Sequence, residues 1–590
     1  MEKRKHSVKV RSAPGLAFRL WIYRILVVCL CLRLAWYEIE RVWLQYHRGA
    51  ASQYARKESM PGGCRHPLPS LSKDYPPAPE TPELQVASLL ADTSLREIVS
   101  QSAIDSLVVG VVTADGPIFE HSYGFLKANV TEPAWRGTVD SDSIYRIVSI
   151  SKLFTTMETL VLREKGLLQL DDPVTAYVPG FSYRQTDYGD EGPVTIRALL
   201  THMAGIGGNL PPGDMLDWPH SLDGGGSPPY NGLPFPSTDS VLKSQAGLPL
   251  THPPYTLPVY SNTGFSILGM VNLAAANRSS EYIGNVSTIE ELMKRDVFDP
   301  LGMNSTGFLA STLGVDRVAI SSYAPTDADY DFRSSMNPSG GVFSTLSDLM
   351  NAMRMLLNPE KNPSILSSYT IREWMRPLFA WYDDTTEFGM LWEINKYRNT
   401  FGDVQRLYQK SGQLMGYHAE FTVNPATGYG VIILMTGQYL NVQRPTFEVL
   451  DIFQPMFDVI AQRTAVQLYT GTWSTTTNGT LSVIDIDFRD GSLWVNHIVL
   501  RGTDVLQLLL EDPEPAALWS TGRRDQFRIA FGESWRNNER GYHCMAYSFG
   551  MELGYARGAA INEISFSGEG VDRILHVPSA GVDLRRKRTA

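Results

Sequence analysis

The stretch Tyr145-Arg-Ile-Val-Ser149-Ile-Ser-Lys152-Leu-Phe154 decides how this chain reads. Ser149 and Lys152 stand three apart at the head of an apolar-periodic segment. Leu153, Met157, Leu160 and Val161 carry the period, and Lys165-Gly166 supplies a stop. Helical spacing puts Ser149 and Lys152 on one face. A lysine beside a serine lowers the cost of deprotonating the hydroxyl and helps carry its proton. An acyl-transferring serine needs that chemistry. Alone, an S-x-x-K pattern is common in long chains, so its weight depends on its company.

Two further patterns supply that company. Tyr260-Ser-Asn262 follows a proline-rich stretch and opens a helix-like run over 264–273. A tyrosine there takes a serine proton if nearby cations lower its pKa. Asn262 can hold the lysine or a substrate amide. Lys410-Ser411-Gly412 lies at the end of a predicted strand, with Gly416 four residues on. A cation there favours a substrate carboxylate or an anionic intermediate, and a glycine lets substrate backbone come close. Taken singly, the first reads as a turn with a half-buried tyrosine and the second as a surface lysine in a hairpin.

Taken together, in the order S-x-x-K, Y-x-N, then K-S-G, the three resemble the serine β-lactamase and penicillin-binding-protein family, class C β-lactamase-like branch. Ser411 stands where the branch has threonine or, in an H-x-G form, another residue. Intervening text is similar too. Gly166-Leu-Leu-Gln-Leu-Asp-Asp-Pro-Val174, Ile196-Arg-Ala-Leu-Leu-Thr-His202-Met-Ala-Gly205, and Gly340-Gly341 with Ser344-Thr345 and Asp348-Leu349 each resemble a stretch of that branch. Ala204 replaces a serine. The likeness covers roughly residues 95–460.

The resemblance implies roles. Ser149 is the acylated nucleophile, and Lys152 and Tyr260 are the proton-transfer pair. Asn262, Lys410, Ser411 and Gly412 bind substrate. The backbone N–H groups of Ser149 and Gln413 form an oxyanion hole, with a helix N-terminus behind Ser149. His202 reads as structural, because Lys152 and Tyr260 already supply a base. The implied reaction is hydrolysis of a small-molecule amide or ester through an acyl-enzyme. An acyltransferase using the same intermediate, or an inactive binding protein on the same fold, are the alternatives.

The implied fold is α/β. An antiparallel sheet is flanked by helices, with an all-helical region and the site between them, and a C-terminal all-β, barrel-like domain follows. Domains are expected at 1–37 (basic N-terminus and signal-anchor-like segment), 38–82 (proline-rich linker), 83–462 (catalytic) and 465–590 (β domain). The last rests on short alternating runs such as 481–488 and 493–500, parted by Asp490-Gly491. Residues 206–258, rich in Gly and Pro, are either disordered or a functional lid.

Composition sets the limits. The chain has 590 residues, 43% hydrophobic and 19% charged, with a formal net charge of −10. That is globular, and its length favours more than one domain. No basic stripe marks a nucleic-acid partner. No C-x-x-C or H-E-x-x-H spacing indicates a metal, and no cofactor is called for. Lys3, Arg4, Lys5, Lys9, Arg11 and Arg19 precede an apolar segment at 20–37, broken by Arg24 and Arg33. This reads as an uncleaved anchor in preference to a cleaved signal or an interfacial helix. Sequons at Asn129, Asn277, Asn285, Asn304 and Asn478 all follow it, as expected of a secretory-pathway body, membrane-anchored or secreted. Of the four cysteines, Cys64 and Cys544 can pair in an oxidising compartment. Oligomeric state has no sequence signal.

Overall fold

The computed structural model describes residues 68–187, 192–284, 286–509, 515–530 and 551–587. The segment at 20–37, Cys64, Cys544 and Asn285 lie outside them. Among the described residues, no helix is long and apolar enough to cross a membrane.

The hairpin expected around Asp115-Gly116 forms from β1 (Ile104–Thr113) and β2 (Gly116–Gly124). Gly116 closes the turn at φ +137°, a conformation that a side chain would strain. Six more strands complete the sheet: β3 (Phe379–Ala380), β4 (Thr386–Phe388), β5 (Glu393–Arg398), β6 (Val404–Gln413), β7 (Tyr417–Asn424) and β8 (Tyr429–Gly437). Their order is β2-β1-β8-β7-β6-β5-β4-β3, antiparallel throughout. The loop 425–428 joins β7 to β8, where Asn424 and Thr427 hydrogen-bond to each other and to Gln454.

The helices that shape the site are α1 (Pro82–Gln101), α2 (Ser151–Glu164), α3 (Asn262–Ala276), α4 (Arg333–Gly340), α5 (Leu346–Leu357) and α6 (Gln443–Tyr469). One sheet face packs on α1 and α6. Leu84, Ala87, Ala91, Leu95 and Ile98, at helical spacing on α1, meet Leu107, Val109, Val111, Val431 and Ile433. The alternate strand residues, Val108, Val112, Ile432 and Leu434, face the helical region instead. A buried leucine in either layer contributes about 1.5–3 kcal/mol.

In the helical region α2 is buried on every side, from Ser151 through Leu162. Its threonines are therefore paired inside. The Thr155 hydroxyl donates to the Pro338 carbonyl (2.7 Å) and Thr159 to Asn272 Oδ1 (3.0 Å). Glu158 has no water to face. Burial, and then the nearby Asp296, push its carboxyl well above the usual range, so it is held neutral.

The C-terminal domain is a closed eight-strand antiparallel barrel. Its strands are β9 (Gly471–Thr477), β10 (Thr480–Arg489), β11 (Ser492–Leu500), β12 (Ala516–Ser520), β13 (Gln526–Ala530), β14 (Glu563–Ser567), β15 (Ile574–Val577) and β16 (Val582–Arg586). The order β10-β9-β16-β15-β14-β13-β12-β11 closes where β10 pairs with β11. Trp473, Ile484, Val495, Phe527, Phe566 and Leu575 fill it. Helix α6 runs unbroken through residues 462–465 and delivers Tyr469 to this core. The described end of the proline-rich stretch packs there as well. Leu71 joins the barrel core, and the Tyr75 hydroxyl donates to Asp525 (2.9 Å).

Candidate active site

Ser149 lies in a single 3-10 turn, Val148–Ile150, that feeds α2. The residue before it is forced into an unusual shape: Val148 has φ +46°, costly for a β-branched side chain. Ser151 pins that turn. Its hydroxyl donates to the Val148 carbonyl (2.5 Å) and accepts the Val342 N–H (3.0 Å). The serine is thus presented, half-buried, at the N-terminus of α2.

Two side chains converge on its oxygen. The Tyr260 hydroxyl donates to Ser149 Oγ at 2.7 Å, and Lys152 Nζ lies 3.2 Å away. Lys152 also donates to Asn262 Oδ1 (2.7 Å) and to the Ser339 carbonyl (2.6 Å). Asn262 is fixed in turn by Nδ2 donating to Asn209 Oδ1 (2.8 Å). Lys152 is buried. That burial, with repulsion from Lys410, pushes its pKa well below the ordinary lysine value, against a smaller pull from Glu393. A neutral amine has two N–H groups and one lone pair. Once Lys152 is neutral, the two shorter bonds can use its N–H groups and leave the lone pair for Ser149.

The condition set for Tyr260, a pKa lowered by nearby cations, is not met. Burial raises its pKa, and the Lys410 ammonium, 5.1 Å from the ring centroid, only partly reverses this. The residue as a whole is 40% exposed, so the phenol reaches the cleft as a neutral donor. His202 lies behind it, ring centroids 4.6 Å apart, with Nδ1 accepting the Ser261 N–H (3.1 Å). Burial lowers the pKa of His202, so the imidazole is neutral and supports Tyr260 without touching Ser149.

Lys410 and Ser411 project from β6. Lys410 Nζ donates to Glu393 Oε1 on β5 (2.7 Å) and to the Ser411 carbonyl (2.9 Å). Gly412 serves the chain's own backbone. A Cβ there would stand 2.2 Å from the Ile147 carbonyl oxygen and 3.1 Å from Ser149 N. The strand end therefore lies against the serine turn, and Gln413 follows at its exposed tip.

The segment 206–258 is packed at its start and in its middle. Ser261 donates to the Gly207 carbonyl, the Gly208 carbonyl accepts the Asn262 N–H (2.8 Å), and Phe235 stacks on Phe332 beside α4 (4.4 Å). Asn209, Glu393 and the Ser339 carbonyl belong to the site without having been marked in the sequence. No group of three or more His, Cys, Asp or Glu side chains placed to hold a metal occurs among the described residues.

The β-lactamase family model matches residues 91–450, more than half of the chain. The chain belongs to the β-lactamase family. It is 44% identical to β-lactamase-like protein str5 of Strobilurus tenacellus, over 37% of this chain and 83% of that protein. It is 36% identical to β-lactamase-like protein str6 of the same organism, over 50% of this chain and 97% of that one. A solved β-lactamase/D-alanine carboxypeptidase from Yersinia pestis, in complex with citrate, superposes with a TM-score of 0.49 at 19% identity. It covers 64% of this chain and 99% of its own. The β-lactamase-like α/β fold and the barrel that follows it are those expected from the sequence.

Beneath Lys410 in this β-lactamase-type site lies Glu420, on β7. It is fully buried and accepts from Gln409, Thr422 and Gln443. Burial, then Glu393, push its carboxyl up to about 8, against the pull of Lys410. Folded Glu420 thus keeps its proton where the unfolded chain has lost it. Stability should fall as pH rises from about 4.5 towards 8, by on the order of a few kcal/mol, and level off above. Glu420→Gln is expected to flatten that slope in urea unfolding between pH 5 and 8. An unchanged slope would assign it to other groups.

Proposed function

We propose that the chain is a serine hydrolase that cleaves an ester or amide through an acyl-enzyme on Ser149. The observation that carries this reading is the shared oxygen: one serine Oγ with a phenol at 2.7 Å and a buried lysine at 3.2 Å.

The steps follow from the groups. Ser149 attacks the carbonyl carbon as its proton passes to the Lys152 lone pair. Negative charge grows on the carbonyl oxygen, where the N–H groups of Ser149 and Gln413, with the α2 dipole, stabilise it. Collapse expels the leaving group, which takes the Tyr260 proton. Lys152, 4.8 Å from the Tyr260 ring centroid, restores that proton. Water then attacks the ester on Ser149, with the same pair acting in reverse. The exposure of Tyr260 to the cleft favours water over an excluded acceptor.

The test is release of acid from activated esters, with and without an added alcohol. Free acid as the main product in both supports hydrolysis. An alcohol ester as the main product moves the reading to acyl transfer, and no turnover or adduct with any donor sinks both.

A pH profile tests Lys152 as the base. kcat/KM for an uncharged ester should rise with pH as the free enzyme's Lys152 loses its proton. Lys410 lowers that pKa by repulsion, so Lys410→Gln should move the rising limb to higher pH. A limb that stays put or moves lower would remove Lys152 from the role.

The described sequon asparagines, Asn129, Asn277, Asn304 and Asn478, are all exposed. That supports, as a further proposal, a glycosylated body in the secretory pathway.

A further inference from the structure

A cation on the strand beside an acylating serine suits a donor that carries a carboxylate. Here that cation already has one. Lys410 Nζ donates to Glu393 Oε1 at 2.7 Å, and the Ser411 hydroxyl reaches Oε2 at 3.4 Å. Both side chains of Lys410-Ser411 that would greet a substrate anion are therefore turned to one internal carboxylate.

Exposure orders the pair. The Lys410 side chain is 2% exposed and that of Glu393 is 31% exposed. A molecule entering the cleft therefore meets the carboxylate before the ammonium. Lys410 and Glu393 offset one another, so the strand cation brings an incoming anion little net positive charge. A second carboxylate would have to share one ammonium with the first, and like charges so close resist being ionised together. Adjacent strands hold the arrangement, since Glu393 pairs in register with Gln409, next to Lys410. The ammonium also lies over the Tyr260 ring, which limits its swing towards solvent.

We infer that Glu393 fills the carboxylate position of this site and selects an acyl donor that is uncharged or cationic there. This rests on the serine-hydrolase reading above. The half-buried Glu393 carboxylate accepts a hydroxyl or ammonium group of such a donor. Specificity then comes from an unfavourable meeting as much as from a favourable one.

The test uses three p-nitrophenyl esters of equal acyl length: butyrate (neutral), hemisuccinate (anionic) and 4-(trimethylammonio)butyrate (cationic). Each rate is divided by its rate of hydroxide hydrolysis. Wild type should prefer the neutral and cationic esters over the hemisuccinate by about tenfold or more in kcat/KM. Glu393→Gln keeps size and hydrogen bonding but removes the charge. It should raise the hemisuccinate relative to the butyrate by a similar factor and lower the cationic ester. A wild-type preference for the hemisuccinate, or ratios unmoved by Glu393→Gln, would overturn the inference.

Calorimetry separates this from failure of the hydrolase reading. N-phenylbutyramide and N-phenylsuccinamate, which are not activated, are titrated into Ser149→Ala with and without Glu393→Gln. Tighter binding of the neutral amide, reversed by the second substitution, supports the role of Glu393 even if no ester turns over. Equal binding of both amides in both proteins overturns it.

Discussion

Ser149→Ala is expected to remove all covalent labelling of the cleft and to cut ester turnover by at least about 10³-fold. In the proposed mechanism the acyl group is carried by Ser149 Oγ, the oxygen on which Tyr260 and Lys152 converge. The fold should survive. Lys152 keeps Asn262 and Ser339 as partners, and Ser151, not Ser149, pins the strained turn. A melting temperature within a few degrees of wild type would show that. The measurement is intact mass after incubation with activated esters and β-lactams, followed by peptide mapping. Mapping matters because a second serine has an imidazole partner. On the barrel, Ser567 Oγ lies 2.6 Å from His576 Nε2, whose Nδ1 is 2.7 Å from Asp583. Ser567 and Asp583 stand in solvent beside a half-buried His576, so water competes for these bonds and slow labelling there would be incidental. Undiminished labelling of the cleft in Ser149→Ala would end the assignment.

What the sequence disclosed depended on how local each feature is. Ser149 and Lys152 are three residues apart, and the helix that joins their side chains is announced by its own period. Tyr260 and Asn262 likewise share one helix start, capped by the Ser261 hydroxyl accepting the Gly264 N–H. Of the two anchors of Lys152, Asn262 was legible and the other was silent for a different reason. It is a backbone carbonyl, at Ser339, and every residue has one. Glu393 was equally silent, because its meeting with Lys410 depends on the register between β5 and β6. The phenol of Tyr260 could not be assigned a charge from its neighbours in sequence. Burial outweighs Lys410, and burial is a property of the finished fold. The open choice for 206–258 turned on a contact between remote aromatics, Phe235 and Phe332. Barrel closure turned on pairing such as Trp473 with Arg586, strands from opposite ends of the domain.

Gly412→Ala should be the most damaging substitution that leaves every reacting side chain in place. The sequence suggests a glycine that admits substrate. The structure gives it another duty, because the atoms it admits are those of the serine turn itself. An alanine Cβ would stand 2.2 Å from the Ile147 carbonyl oxygen. That oxygen cannot swing away as a side chain would. It accepts the Ile150 N–H (3.0 Å), while the Ile147 N–H is held by the Val342 carbonyl (3.1 Å). Relief must come from parting β6 and the turn, and a displacement of about 1 Å is enough to cost roughly 10²-fold in rate. The parting widens the gap between Ser149 N and the strand that carries Gln413, so the developing oxyanion loses donors, again worth about 10²–10³-fold. The loss should fall on kcat, with labelling slowed but still mapping to Ser149. That pattern differs from Ser149→Ala, in which labelling of the cleft is absent. Stability should drop as well, since the clash strains a buried strand. A folded Gly412→Ala with wild-type kcat would show that the strand end and the serine turn need not touch for the reaction to proceed, and Gln413 would lose its place in the mechanism.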